Sequence, residues 1–167
     1  MIPSKANGSC STHNFFRTMK RLYLLFTLIA AVACAQKETV VEESYPDGTP
    51  KKEATYKGSG QNRELIKETY YYERNKVEMT GGYHNGKRNG YWVSYYENGN
   101  KWSEGYYKNG MNDGKRVTYF ESGKTRYVGY YKNDRRVGKW QFYDEAGNLL
   151  KEVDFSAPQP GDKKPGI

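Results

Sequence analysis

Aromatic rings fall at every twelfth position over most of this chain: Tyr71, Tyr83, Tyr95, Tyr107, Tyr119, Tyr131, Tyr143 and Phe155. Glycines keep a step of 24 in three series: Gly81, Gly105 and Gly129; Gly90, Gly114 and Gly138; Gly99, Gly123 and Gly147. A period of this size marks a repeat architecture. Stretches such as Tyr91 to Tyr96 are rich in aromatic and β-branched residues and end at Asn-Gly, Ser-Gly or Ala-Gly. Those are strand and hairpin signals. Half a repeat is one strand plus one turn, so each unit predicts a β-hairpin. Successive hairpins predict an all-β, elongated array of antiparallel hairpins, a single-layer twisted meander without an enclosed core. About ten strands at roughly 4.8 Å each give a ribbon on the order of 45 Å long.

The pattern also predicts local detail. Asn98-Gly99 supplies the positive φ of a tight turn, and Asn75 stands in the same place one unit earlier as the best substitute for glycine. The second connection of each unit, Asn109 to Gly114 for example, reads as longer, with glycine at its exit. Gly81, Gly105 and Gly129 read as flat spots beneath a ring from the next strand. If Glu97 pairs with Asn100, Trp92 falls opposite Gly105; a bulged turn shifts that register by one, and both readings stay open. A looser first unit carries Gly48 and Tyr56, in step after three extra residues assigned to 58–63.

One apolar run, Leu22 to Ala35, follows Met19-Lys20-Arg21 and ends in small residues, the parts of a secretory signal peptide. It is shorter than the roughly 20 apolar residues of a membrane-spanning helix. Residues 1–18 lack periodicity, and translation is expected to start at Met19, leaving 19–35 as the signal. Two cleavage readings compete. Ala31-Val32-Ala33-Cys34 resembles a lipobox, with Cys34 acylated as the first mature residue; Ala33-Cys34-Ala35 fits cleavage before Gln36. The expected address is export as a membrane-anchored lipoprotein of the cell envelope, or else as a soluble periplasmic or secreted protein. Residues 36–44 read as a tether, 45–155 as the hairpin repeats, and 156–167, with three Pro, as a disordered tail.

Hydrophobic residues make up 36% and charged residues 28%, so a thick aliphatic core is excluded, whereas 16% aromatics argue against disorder. Removing residues 1–33 takes the net charge from +8 to +4, and the remaining charges are interspersed in sign, with no long basic run. That excludes the clustered stripe of a nucleic-acid footprint, and no nucleic-acid partner is expected.

The motif G-x-W/Y-x-x-Y-Y/F-x-x-G followed by E/V-G-Y-Y-K-N-G resembles the bacterial variant of the MORN repeat over roughly residues 45–155. The resemblance implies a protein-interaction or membrane-associated module and, as for some members, an antitoxin component of a toxin–antitoxin pair. Choline-recognising cell-wall repeats are similar in length and aromatic content. Here Arg116 stands midway between Trp92 and Trp140, and Gly-Tyr replaces Gly-Trp, which speaks against a repeated ligand cage.

No catalytic, metal-binding or cofactor motif emerges. His84 sits where Lys108 and Lys132 recur, GxxxxGK[ST] is absent, and Asn109 to Gly114 reads as a turn rather than a calcium loop. The chain is therefore expected not to be an enzyme. Rings outside the 12-residue register are the candidate binding surface: Trp92, Trp102, Tyr106, Tyr127, Tyr130 and Trp140. A protein partner, toxin-like or from the envelope, is the first expectation; a glycan or cell-wall ligand is the alternative.

Overall fold

The structure, a computed structural model, describes residues 37–156. The leader with Cys34 and the chain from residue 157 onward lie outside the described residues. Ten strands follow in order: β1 Lys37–Ser44, β2 Pro50–Lys57, β3 Glu64–Tyr71, β4 Val77–His84, β5 Lys87–Tyr95, β6 Lys101–Lys108, β7 Met111–Tyr119, β8 Thr125–Lys132, β9 Arg135–Tyr143 and β10 Leu149–Asp154. Each pairs antiparallel with its sequence neighbours in one open sheet, a meander in chain order.

Residues 36–44 are not a tether beyond Gln36. Lys37–Ser44 forms β1 and pairs with β2, Val40 opposite Ala54 and Thr39 opposite Thr55. Only Val40 of β1 is partly covered, and without this pairing the outer edge of β2 would lack ladder partners.

The two kinds of connection are the reverse of the expected lengths. Odd-to-even turns span five residues and share one bond, from Tyr96 N to Asn100 O at 2.8 Å and from Phe120 N to Lys124 O at 2.8 Å, for example. Gly99 there has φ +91°, and Asn75 takes the same left-handed conformation at +60°. The even-to-odd turns, expected to be longer, are two residues: Asn85-Gly86, Asn109-Gly110 and Asn133-Asp134, all at positive φ. This is the geometry that a right-twisted hairpin prefers. The glycines at 90, 114 and 138 lie inside the following strands, at irregularities where β5, β7 and β9 carry surplus residues against their partners. The longer 58–63 connection, with a 3-10 turn at Gly60–Asn62, replaces the two-residue turn between β2 and β3.

Both register alternatives contribute. Tyr96 bonds to Asn100, as in a bulged turn, and Tyr95 pairs with Lys101; then Trp102 is skipped, and Ser94 pairs with Ser103. The second bulge cancels the first, so Trp92 does pair with Gly105. Its ring, however, covers Gly81 on the other side: a Cβ on Gly81 would stand 2.1 Å from the indole. Trp140 covers Gly129 in the same way at 2.1 Å, whereas Gly105 lies beneath Arg116 at 3.4 Å. The lid lies across the tight-turn junction because the indole N–H reaches back one strand, to Gly82 O from Trp92 and to Tyr130 O from Trp140.

Side chains alternate between two faces. The front face holds the buried tryptophans, Trp92 at 3% exposed and Trp140 at 0%, while Val93 is buried on the back. Tyr83 and Tyr107 pack their rings 5.5 and 6.0 Å from Trp92, and Tyr131 and Phe155 lie 5.0 and 5.9 Å from Trp140. The other half of the 12-residue series, Tyr71, Tyr95, Tyr119 and Tyr143, alternates onto the back face. At β10 the place held by Gly81, Gly105 and Gly129 is taken by Val153, opposite Trp140.

Candidate binding surfaces

Among the six rings singled out from sequence, the structure separates three kinds. Trp92 and Trp140 are core and offer no contact surface, which corrects their assignment as binding residues. Tyr127 is half-buried, its ring 5.8 Å from Trp140 and 5.9 Å from Phe142. Trp102, Tyr106 and Tyr130 remain exposed, at 48%, 49% and 48%. Their positions outside the register did mark them as different, but a tryptophan in a single-layer sheet is the side chain best able to cover a bare glycine, and two of three are used that way.

The back face gathers the exposed rings. Tyr91 pairs with Tyr106, ring centroids 5.6 Å apart, and Tyr130 stands opposite Lys115. Tyr106 lies over Gly114, whose absent side chain leaves room for the ring; a Cβ there would meet Tyr106 Cβ at 3.1 Å. Thus Tyr91, Tyr106, Lys115 and Tyr130 form a line across β5 to β8. Tyr91 was missed by the sequence reading, although it lies one position from Trp92 and alternation places it on the opposite face.

Beside that line sits Glu104, the polar centre of the back face. Burial opposes its charge, yet hydrogen bonds from Lys101 at 2.6 Å, Tyr119 at 2.7 Å and Tyr91 hold the carboxyl down to about 2. Burial and the same carboxylate push the Tyr119 hydroxyl up to about 12. A second carboxylate, Glu68 on the front face, is 6% exposed and bonded to Lys52 and to the Tyr70 hydroxyl, both at 2.9 Å. Burial raises its pKa, and hydrogen bonds from Tyr83, Lys52 and Tyr70 outweigh that to leave it lowered. Both are satisfied structural acids; neither has the raised pKa of a general acid. An open depression of about 600 Å³ on this face runs past Glu104, Val117, Tyr119 and Tyr143.

The bulges add a feature that spacing alone concealed. Glu78, Trp102, Arg126 and Leu150 are each the residue skipped in the pairing of their strand, at a step of 24. Trp102 and Leu150 are 48% and 65% exposed. Their chemistry differs while their geometry repeats, the arrangement by which repeat proteins vary a contact surface on a constant frame.

No group of three or more His, Cys, Asp or Glu placed to hold a metal occurs among the described residues. His84 is exposed and lies 3.5 Å from Glu64.

The sequence profile of the MORN repeat variant matches residues 37–57, 88–109, 112–133 and 136–157, each a pair of adjacent strands in the sheet. The chain belongs to the MORN repeat variant family. The match to residues 37–57 places a repeat where a tether was expected, and β3 with β4 supplies an unmatched hairpin between the first and second matches. No curated protein matches the chain. MORN repeats are generally non-catalytic modules for protein or membrane interaction.

Proposed function

We propose that this MORN-repeat chain is a non-catalytic protein-binding module displayed at a bacterial cell envelope, anchored through an acylated Cys34. The observation that carries the binding reading is the exposed line Tyr91, Tyr106 and Tyr130 on the back face. Large rings at 42–49% exposure, held by a rigid sheet, are the anchors that protein contacts favour. The envelope address rests on the leader-like run and the Ala31-Val32-Ala33-Cys34 sequence. A toxin-like partner is one form of this reading.

The test uses the full chain as bait in envelope extract, beside a Tyr106→Ser, Tyr130→Ser double variant, with binding to purified peptidoglycan measured in parallel. Stoichiometric capture of one protein that the double variant loses supports the proposal. Retention on peptidoglycan with no protein captured replaces it with the glycan reading. Mass spectrometry of the mature N-terminus tests the address: a diacylglyceryl Cys34 is expected, and an unmodified Gln36 start overturns the anchor.

A further inference from the structure

The front face carries an arginine row of its own. Arg88 lies over the Trp92 ring at 4.1 Å, and Arg136 over Trp140 at 4.8 Å and Phe155 at 5.5 Å. These two positions are 48 residues apart, and the position midway between them is Asn112, not arginine. The middle unit exchanges the places: its arginine is Arg116, standing where the flanking units have Trp92 and Trp140. Arg116 then reaches back along the strand, donating to Asn112 Oδ1 at 2.6 Å and approaching the Tyr107 hydroxyl at 3.3 Å. The Tyr107 ring has Arg88 at 5.7 Å and Arg116 at 6.0 Å. The row of guanidinium groups is thereby completed across β5, β7 and β9, despite the exchange.

Among the described residues no ion pair joins Arg88, Arg116 or Arg136 to a carboxylate; each uses a lysine or His84. The five acids within β4 to β10 are Glu78, Glu104, Asp113, Glu152 and Asp154, and strand alternation puts none of them among the front-face rings. On the front face of β3, Glu68 meets Arg88 only through the Tyr83 hydroxyl, which interacts with both, and Asp134 in a tight turn is engaged by the Asn112 amide at 2.7 Å. Lys151, over Phe142 at 4.9 Å, adds a fourth cation on the same face.

We infer that the front face of β5 to β9 binds an acidic, extended peptide segment of a partner, its carboxylates seated on Arg88, Arg116 and Arg136. This is a second surface, independent of the back-face line of tyrosines. Arginine is the side chain suited to carboxylate recognition, through paired N–H donors in a plane. The spacing fits a peptide crossing the strands: alternate strands lie about 9.6 Å apart, and three residues of extended chain span about 10 Å. An acid at every third position thus meets successive arginines. The rings beneath do not compete as ligands, because Trp92 and Trp140 are buried under the arginines and flanked by other rings. That removes the open π faces on which nucleobases or sugars stack.

The probes are three nine-residue peptides of equal length: one with Asp at positions 2, 5 and 8, one with Asn there, and one with its three Asp adjacent. Binding to the full chain is read by Trp fluorescence and calorimetry at low and high salt. The spaced acidic peptide is expected to bind about tenfold or more tighter than the Asn peptide, and tighter than the clustered one, with affinity falling as salt rises. Arg136→Gln, at an exposed position, is expected to weaken it several-fold while leaving the thermal transition in place; Arg116→Gln is the companion variant. Equal binding of all three peptides, or unchanged affinity in Arg136→Gln, overturns the inference. Tighter binding of a single-stranded oligonucleotide also overturns it, in favour of a general polyanion surface. Should the peptides fail while a protein is still captured through Tyr106 and Tyr130, this inference falls and the binding-module reading stands.

Discussion

Trp140 lies flat on Gly129, so close that a single methyl group on that glycine would stand 2.1 Å from the indole. Gly81 has the same relation to Trp92, whereas Gly105 meets Arg116 at 3.4 Å, an ordinary contact. One family of repeat glycines therefore contains two mechanical situations. Gly129→Ala is expected to destabilise by about 1–3 kcal/mol through overpacking, and Gly105→Ala by less than about 1 kcal/mol. Urea unfolding of both variants checks this; equal midpoints would contradict the lid geometry.

Trp140 and Trp102 are expected to behave oppositely. Trp140→Ala removes the largest fully buried side chain among the described residues and is expected to lower stability by about 3–5 kcal/mol. Trp102→Ala, at an exposed bulge, is expected to stay within about 0.5 kcal/mol of the parent. Thermal melts of the two variants decide it.

Acid is expected to weaken the fold through Glu104. Its carboxyl is held at about 2 in the folded protein, below its ordinary value near 4.5. A lowered pKa means the folded state binds fewer protons, so this contribution is full above about 4.5 and is lost as pH falls towards 2. Glu104→Gln is expected to flatten that limb of the stability curve. Urea midpoints from pH 6 to pH 2 (roughly the span set by these values) provide the measurement.

The alkaline side has the reverse sign. Tyr71 and Tyr119 are both pushed up to about 12 by burial and by the hydrogen bond that each hydroxyl donates to a carboxylate, Glu53 and Glu104 respectively. The folded state retains these protons, so the stabilisation is present below about 10 and is lost as pH rises through 12. Tyrosinate absorbance is expected to rise in two stages, the later one coinciding with unfolding.

At the five-residue turns, tyrosine hydroxyls tie each unit to the next: Tyr72 donates to Tyr95 O and Tyr96 to Tyr119 O, both at 2.9 Å. Phe120 breaks the series one unit later. Phe120→Tyr is expected to supply the missing bond to Tyr143 O and to add about 0.5–1.5 kcal/mol. A melt no higher than the parent's would show that the hydroxyl does not reach.

The strands, their order and the face-to-face alternation were legible because period 2 and period 24 both write themselves into side-chain type. Asn75 could be placed in a glycine's conformation from its position alone. The bulges could not be read, because a skipped residue changes register without changing composition. Trp102 looks like any strand residue until its neighbours Lys101 and Ser103 are seen pairing with Tyr95 and Ser94. Burial of Trp92 and Trp140 was hidden for a related reason: alternation tells which face a ring takes, not which neighbouring backbone it covers. β1 was misread because its glutamates and valines suit an exposed edge strand and a solvated linker equally well.

Val153 gives the array a stop. An eleventh strand bringing another tryptophan would find the isopropyl group of Val153 where every earlier lid found bare backbone. Growth by duplication is thus confined to the interior: a hairpin spliced in before β9 inherits a glycine to cover, whereas one appended after β10 does not. On this geometry the side chain at 153, rather than the length of the ribbon, decides whether a further tryptophan lid can be seated after β10.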